Sequence, residues 1–396
     1  MGNLKSPSLM GEQIPFVEEA NFLGVVLDKT PRLTIKIMKR RFLVTFLGVL
    51  AAVKSSDSAS CTISTYNEEV IKDTINKCEE IILSGITIPA GVTLDINLNQ
   101  GNKLVFQGVL TWEFYEWDGP LLNITGTDVE ISGAPDHLLD GRGNLWWDGK
   151  GGGGGKTKPM FFIAHGLRNS VIRNITIKNS PNHAIWIEDS DGVLAQDIYV
   201  DNKDGDTMGG HNTDGINVWR SNNVTIQRLT VYNQDDCVAI KSGTNLAISN
   251  TFCSGTHGLS IGSVGGRDYN IVEHVKVSNS KIVKSGNGIR IKTVYGATGA
   301  VTDVTYENIT LEDITNYGII IEGDYNINTG GAVGVATGGV PIKHLILKNI
   351  TGTVKESGVN IYVLVKNATD WQWDGINVTG GGKKKTCDGA PEGISC

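Results

Sequence analysis

A five-residue unit recurs through the second half of the chain: HAIWI at 183–187, DGINV at 214–218, DCVAI at 236–240, HGLSI at 257–261, NGIRI at 287–291, YGIII at 317–321 and SGVNI at 357–361. Its second residue is small or modest, its third and fifth are apolar, and successive units start 31, 22, 21, 30, 30 and 40 residues apart. Side chains alternate along a strand, so positions three and five face a core and position four faces out. Such a piece cannot bury its inward face alone; stacking on copies of itself does so, which makes a solenoid of β coils. Shorter apolar runs such as VIRNITI, VTIQRLTV, IVEHVKV and VTYENITL fall between the units. Blades of even length, or hairpin turns every 8 to 12 residues, would mark a propeller or a sandwich and are not seen. The 50 glycines and many Val, Ile and Thr runs agree with an all-β chain. The expected fold is a single-domain parallel β-helix of about ten coils over residues 61–396. The segment TYNEEVIKDTINKCEE predicts a short amphipathic helix that covers the open N-terminal end.

Residues 38–60 have the layout of a secretory signal peptide: basic Lys39, Arg40 and Arg41, an apolar run from Phe42 to Val53, then small residues before Cys61. The apolar run is too short to span a bilayer. A secreted protein without a membrane segment in its mature form is expected. The 37 preceding residues are read as a spurious or non-native extension, with translation starting at Met38; FLGVVLDKTPRLT at 22–34 resembles a fragment of a retrotransposon reverse transcriptase. A cytosolic extension ahead of an internal signal-anchor is the alternative. Without residues 1–60 the chain holds 27 basic and 37 acidic residues, a net charge of −10. That excludes nucleic acid as a natural partner, and a polyanionic substrate would need a locally basic groove. The six cysteines, even in number and downstream of an export signal, imply three disulfides. Fifteen pairings are open, and pairing of neighbours is the expectation: Cys61–Cys78, Cys237–Cys253 and Cys387–Cys396. Seven N-x-[ST] sequons, at Asn123, Asn174, Asn223, Asn308, Asn349, Asn367 and Asn377, suit a secreted surface, but NIT and NVT also suit a turn leading into a strand.

Stacking turns the first position of the repeat into a column: His183, Asp214, Asp236, His257, Asn287, Tyr317 and Ser357, one residue per coil at a step of about 4.8 Å. With Asp235, Arg290 and Lys292 nearby, one patch gathers three carboxylates, an imidazole and two cations. A purely structural ladder of this kind is usually Asn or Ser. Glycoside hydrolysis uses a pair of carboxyl groups, one protonated to donate to the leaving oxygen and one ionised to activate water. Crowded acids cannot all ionise cheaply, so one keeps its proton. Arg290 and Lys292 supply positive charge for a carboxylated sugar. A Ca²⁺-dependent lyase is the rival reading of an aspartate cluster, weakened by His257, Arg290 and Lys292 beside it. A non-catalytic polysaccharide binder is the other.

At these residues the chain resembles the polygalacturonase family of glycoside hydrolases, endo-acting type of fungi and insects. NTD at 212–214, QDD at 234–236, GTHG at 255–258 and RIK at 290–292 stand in the family's order, with WWDGKG, GDTMGGHNTD, CSGTHGLSIGSVGGR, RIKTVYGATG and NYGIIIEGDY around them. The resemblance implies a right-handed parallel β-helix and inverting hydrolysis of α-1,4-linked galacturonan in pectin, by a monomer without metal or cofactor. It implies that Asp235 is the general acid, that Asp214 and Asp236 activate the water, that His257 supports the acid, that Asn212 lines the site, and that Arg290, Lys292 and Tyr317 hold the sugar. Two departures stand out: Thr256 where relatives have Gly, expected to bear on the turn holding His257, and Asn217 where they have Asp, expected to bear on subsite binding.

Two further stretches invite a functional reading. GKGGGGGKTK at 149–158 looks like a phosphate loop, but Lys150 stands where that motif needs Gly and no β-α unit surrounds it. A solvated loop is the simpler expectation, a cleft rim with Lys150, Lys156 and Lys158 meeting a polyanion the functional one. Trp112, Trp117, Trp146 and Trp147 read as packing at the N-terminal end.

Overall fold

The computed structural model describes residues 59–396; residues 1–58, which contain the upstream extension and nearly all of the expected signal peptide, lie outside the described residues. Ten parallel strands stack into one sheet: Leu94–Asn97, Leu122–Thr125, Phe162–His165, Ile185–Glu188, Ile216–Trp219, Val238–Ile240, Leu259–Val264, Asn287–Val294, Tyr317–Asn326 and Val359–Leu364. A two-residue antiparallel strand, Gly331–Ala332, is its one exception. The intervening runs, among them Arg168–Lys178, Ser221–Tyr232, Ile271–Val283 and Ala300–Ile314, pair in parallel to form the remaining wall. The molecule is a right-handed parallel β-helix, and the ten strands agree with the coil number read from the repeats.

The inward positions form continuous aliphatic columns. Leu94, Leu122, Phe162, Ile185, Ile216, Val238, Leu259, Ile289 and Ile319 follow one another in register, all nearly fully buried. Opposite them run Ile131, Ile172, Ala195, Ile226, Ile248, Val277, Tyr306 and Leu347. Each large member contributes about 1.5–3 kcal/mol by leaving water. The small second position is a steric demand of this stacking: a Cβ on Gly215 would sit 2.4 Å from the carbonyl oxygen of Cys237 in the next coil.

Turns leave the sheet through asparagines in the left-handed region, including Asn174, Asn223, Asn308 and Asn349. Amide side chains then bond along the axis, Asn308 to Asn279 at 3.0 Å and Asn349 to Asn308 at 3.1 Å. Four sequons therefore serve the turn chemistry anticipated for them. The predicted cap is the helix Glu68–Lys77. Asn67 accepts a hydrogen bond from the Val70 amide at 3.0 Å, acidic residues occupy the first turn, and Ile71 and Ile75 bury against the end of the core. Trp112, Trp146 and Trp147 are buried, as packing required, and Trp117 packs against the core.

All three disulfides join neighbours as expected: Cys61–Cys78 ties the capping helix down, Cys387–Cys396 closes the C-terminus, and Cys237–Cys253 fixes the coil that carries Asp235 and Asp236. The last spans 16 residues with both sulfurs buried, and a loop near this length is worth about 3 kcal/mol. The double variant Cys237→Ala/Cys253→Ala is expected to lose about that much stability in denaturant unfolding. An unchanged unfolding midpoint would show that stacking alone secures this coil.

Candidate active site

The column forms where the wall turns into the ten-stranded sheet. Asp214, Asp236 and His257 each stand two residues before a strand, held by backbone bonds between coils: Ala184 N to Asp214 O at 2.8 Å, Gly215 N to Asp236 O at 2.9 Å and His257 N to Asp235 O at 2.7 Å. Side-chain oxygens of Asp214, Asp235 and Asp236 lie within 4.8 Å of one another. The three acids are 3%, 8% and 1% exposed. The structure thus brings all four expected catalytic residues to one face.

Their partners differ, and so do the directions in which their pKa values move. Asp235 accepts hydrogen bonds from Asn212 Nδ2 at 2.9 Å and pairs with His257 Nδ1 at 3.0 Å. Burial pushes this carboxyl up, but the His257 bond and charge, with Lys292 and Lys241, outweigh it and hold it well below the usual range. Burial likewise opposes the charge on His257, while the bond to Asp235 raises its pKa. Asp236 accepts from Ser260 Oγ at 2.6 Å and Lys292 Nζ at 2.7 Å. Burial would raise it, yet Lys292 keeps it low. Asp214 is the acid that goes up: burial raises its pKa, Asp235 and Asp236 add to that, and His183 at 3.7 Å and Lys241 at 3.8 Å only partly oppose it. Crowding and burial therefore raise one carboxyl, that of Asp214, while Asp235 is held low by His257. The three oxygens could gather a cation, but Lys292, Lys241 and His257 already neutralise them.

The binding residues divide. Asn212 touches Asp235 directly. Lys292 is buried, 4% exposed, and bonded to Asp236 at 2.7 Å. Arg290 lies in the next coil and shares its guanidinium with Glu322 at 2.8 and 3.0 Å. Tyr317 stands one coil beyond Asn287, stacked on Tyr362 and bonded by Lys385 Nζ at 2.6 Å. Ser357 leaves the column: Val359 pairs with Tyr317 and Ile361 with Ile319, so the final unit is VNIYV and the unit SGVNI is two residues out of register. Position four also needs correcting. Asn217, Ala239 and Ser260 do face away from the core, but they are buried, forming a floor beneath the charged side chains.

Several residues make contacts that the sequence did not reveal. Thr256 does not loosen its turn; its hydroxyl meets Ser285 Oγ at 3.1 Å and accepts from the Gly258 amide at 3.0 Å. The glycine-rich loop wraps Lys158, whose ammonium is bonded to Asp148 at 2.9 Å and to the carbonyls of Gly154 and Lys156. Lys158 therefore cannot meet a polyanion. The Gly152 amide donates to Asn212 Oδ1 at 3.1 Å, which orients Asn212 toward Asp235. At Gly151, φ is +61° and a Cβ would lie 2.0 Å from Asn212 Oδ1, so only glycine fits.

Three acids, the His257 imidazole and the buried ammonium groups of Lys241 and Lys292 are thus gathered on one face. Residues 78–396 match the family model for Glycosyl hydrolases family 28. This chain belongs to that family. It is 47% identical over 354 residues to endopolygalacturonase A of Aspergillus niger, covering 88% of this chain and 95% of the relative. It is 49% identical over 322 residues to a polygalacturonase of Cochliobolus carbonum, covering 81% and 88%. The solved endopolygalacturonase I from Stereum purpureum, complexed with two galacturonate, superposes with a TM-score of 0.72 at 35% identity, covering 81% and 95%.

The raised carboxyl in this family 28 hydrolase costs it stability. An unfolded aspartate titrates near about 3.9; below that pH Asp214 is protonated in both states and nothing is lost. As pH rises further the unfolded chain ionises freely while burial resists ionisation in the folded one, so stability falls. Asp214→Asn is therefore expected to unfold at a higher temperature than the parent near pH 7, the gap closing toward about pH 3. A gap that does not depend on pH would contradict this.

Proposed function

We infer that the chain is an endopolygalacturonase, cutting α-1,4-galacturonosyl linkages within homogalacturonan. One observation carries this reading: Asp214, Asp235, Asp236 and His257 converge from three coils in a chain that aligns with 95% of an endopolygalacturonase at 47% identity. Asp235 donates to the leaving oxygen. Its proton is held by the pair it forms with His257, on the imidazole in the free protein and passed across the 3.0 Å bond as charge develops. Asp236, kept ionised by Lys292, draws the proton from water with Asp214 beside it. Asn212 lines the site, while Arg290, Lys292 and Tyr317 hold the sugar, Lys292 through the ammonium hydrogens left over from its bond to Asp236. The acids approach more closely than the roughly 6.5–9.5 Å common for inverting pairs. Inversion therefore rests on the family resemblance, and proton NMR of the first product decides it: the β-anomer is expected to appear first.

Residues 61–396 form the mature enzyme in this reading, monomeric and secreted through the leader at 38–60, with 1–37 no part of it. Three disulfides support an oxidising destination. Among the described residues no helix is long and apolar enough to cross a membrane.

Polygalacturonate incubated with the protein is expected to lose viscosity faster than reducing ends accumulate, with no unsaturated product and no effect of EDTA. Early release of monomer alone would exclude endo action, and ultraviolet-absorbing product would indicate a lyase. Asp235→Asn is expected to lower turnover by about 10²–10⁴-fold or more with the unfolding temperature preserved; near-normal turnover would remove Asp235 from the mechanism.

The pH profile follows from the His257–Asp235 pair. Its shared proton persists up to the raised pKa of His257 and is lost above it, so activity should fall on the alkaline side. His257→Gln should move that limb to lower pH, because the carboxyl alone must then keep the proton. A limb that stays in place would separate His257 from the acid.

A further inference from the structure

Lys241 sits among the acids with no task in the chemistry described above. It is 9% exposed, and its backbone amide donates to Val218 O at 2.8 Å, which fixes it on the Asp214 coil. Counted along the repeating unit, position six of four successive coils reads Trp219, Lys241, Gly262 and Lys292. Gly262 pairs in register with Lys292 and leaves its layer open: a Cβ there would lie 3.0 Å from Lys292 Cγ. Lys292 runs back through that opening over two coils to reach Asp236 at 2.7 Å. Lys241 reaches back one coil instead, to 3.8 Å from Asp214 Oδ2. At that separation the ammonium acts through its charge rather than through a direct bond.

Each acid therefore has a cation of its own. Asp236 holds Lys292, Asp235 holds His257, and Lys241 is left to Asp214. The other groups facing this last pair do not replace it. His183 lies 3.7 Å from Asp214, but its Nδ1 accepts from Trp186 Nε1 at 2.7 Å, and an imidazole nitrogen that accepts carries no proton. Arg267 faces Lys241 as a like charge and donates to Ser263 O at 2.7 Å. Burial, Asp235 and Asp236 all drive Asp214 toward its acid form; of the two groups that oppose them, His183 and Lys241, only Lys241 brings a full charge. With it the buried cluster closes, three carboxylates against two ammonium groups and one imidazolium.

We propose that Lys241 is a positioning residue for the hydrolytic step: its ammonium holds Asp214 as a carboxylate beside Asp236, so that two ionised groups from adjacent coils bracket the attacking water. The water gives its proton to one of them as its oxygen bonds the anomeric carbon, while the leaving oxygen takes the proton of the Asp235 and His257 pair. Asp236 is kept low by Lys292 against its burial, so the acid limb of the reaction belongs to Asp214 and is set by Lys241. This rests on the polygalacturonate reading above.

Kinetics on polygalacturonate across pH test it. Lys241→Met keeps the length and removes the charge; the acid limb of kcat/KM is expected to move up by about one pH unit or more, the effect of an opposite charge at this range. Below the parent's limb the loss should be about tenfold or more, shrinking as pH rises, and Lys241→Arg should return the limb to its place. A second measurement needs no activity. The gap in unfolding temperature between Asp214→Asn and its parent is followed against pH, with and without Lys241→Met. Without the ammonium, Asp214 keeps its proton to higher pH, so the gap should go on widening beyond the pH at which it levels off in the parent. An acid limb that stays in place in Lys241→Met, a rise in KM with the limb unmoved, or the same gap with and without Lys241 overturns the role. A parent inactive on polygalacturonate overturns the functional reading itself, and the unfolding comparison still decides whether Lys241 governs Asp214.

Discussion

The hydrogen bonds that run along the axis from coil to coil are the constraint from which the rest follows. They set a step of about 4.8 Å and allow no slip, because a shift of one residue would turn every aliphatic side chain out of the core. Residues 22 and 21 positions apart in sequence, Asp214, Asp236 and His257, become neighbours only through that ladder.

On this frame the site is a balance between burial and pairing. Three acids are withdrawn from water together, and each is resolved differently: Asp236 by an ammonium and a hydroxyl, Asp235 by an imidazole and an amide, Asp214 by a pKa that burial and its two neighbours push up. The expense appears as lost stability rather than as strain. It is the electrostatic counterpart of a preorganised site, with charges fixed before substrate arrives.

Much of this was legible beforehand because a solenoid writes its geometry into its period. The apolar third and fifth positions of HAIWI through YGIII gave the core, and the residues before them gave the column. Where the period weakened, reading failed: in the last coil, SGVNI and VNIYV fit the pattern equally well, and only pairing with Tyr317 chose Val359. Contacts that depend on where a loop returns were also hidden. Nothing in GKGGGGGKTK says that Lys158 turns inward or that Gly152 meets Asn212. Of the tryptophans singled out from sequence, Trp112, Trp146 and Trp147 are buried and Trp117 packs against the core, whereas Trp186 and Trp219, embedded in the repeats, line a cavity.

The glycine-rich loop has a consequence for how this chain tolerates change. A tract of low complexity is ordinarily where sequences drift freely, because little contacts it. Here the absence of a side chain at Gly151 is what lets Asn212 approach, and Asn212 in turn aims Asp235. The segment that looks most dispensable is thus among the least replaceable, and a single methyl group added there would be felt at the reaction centre two contacts away.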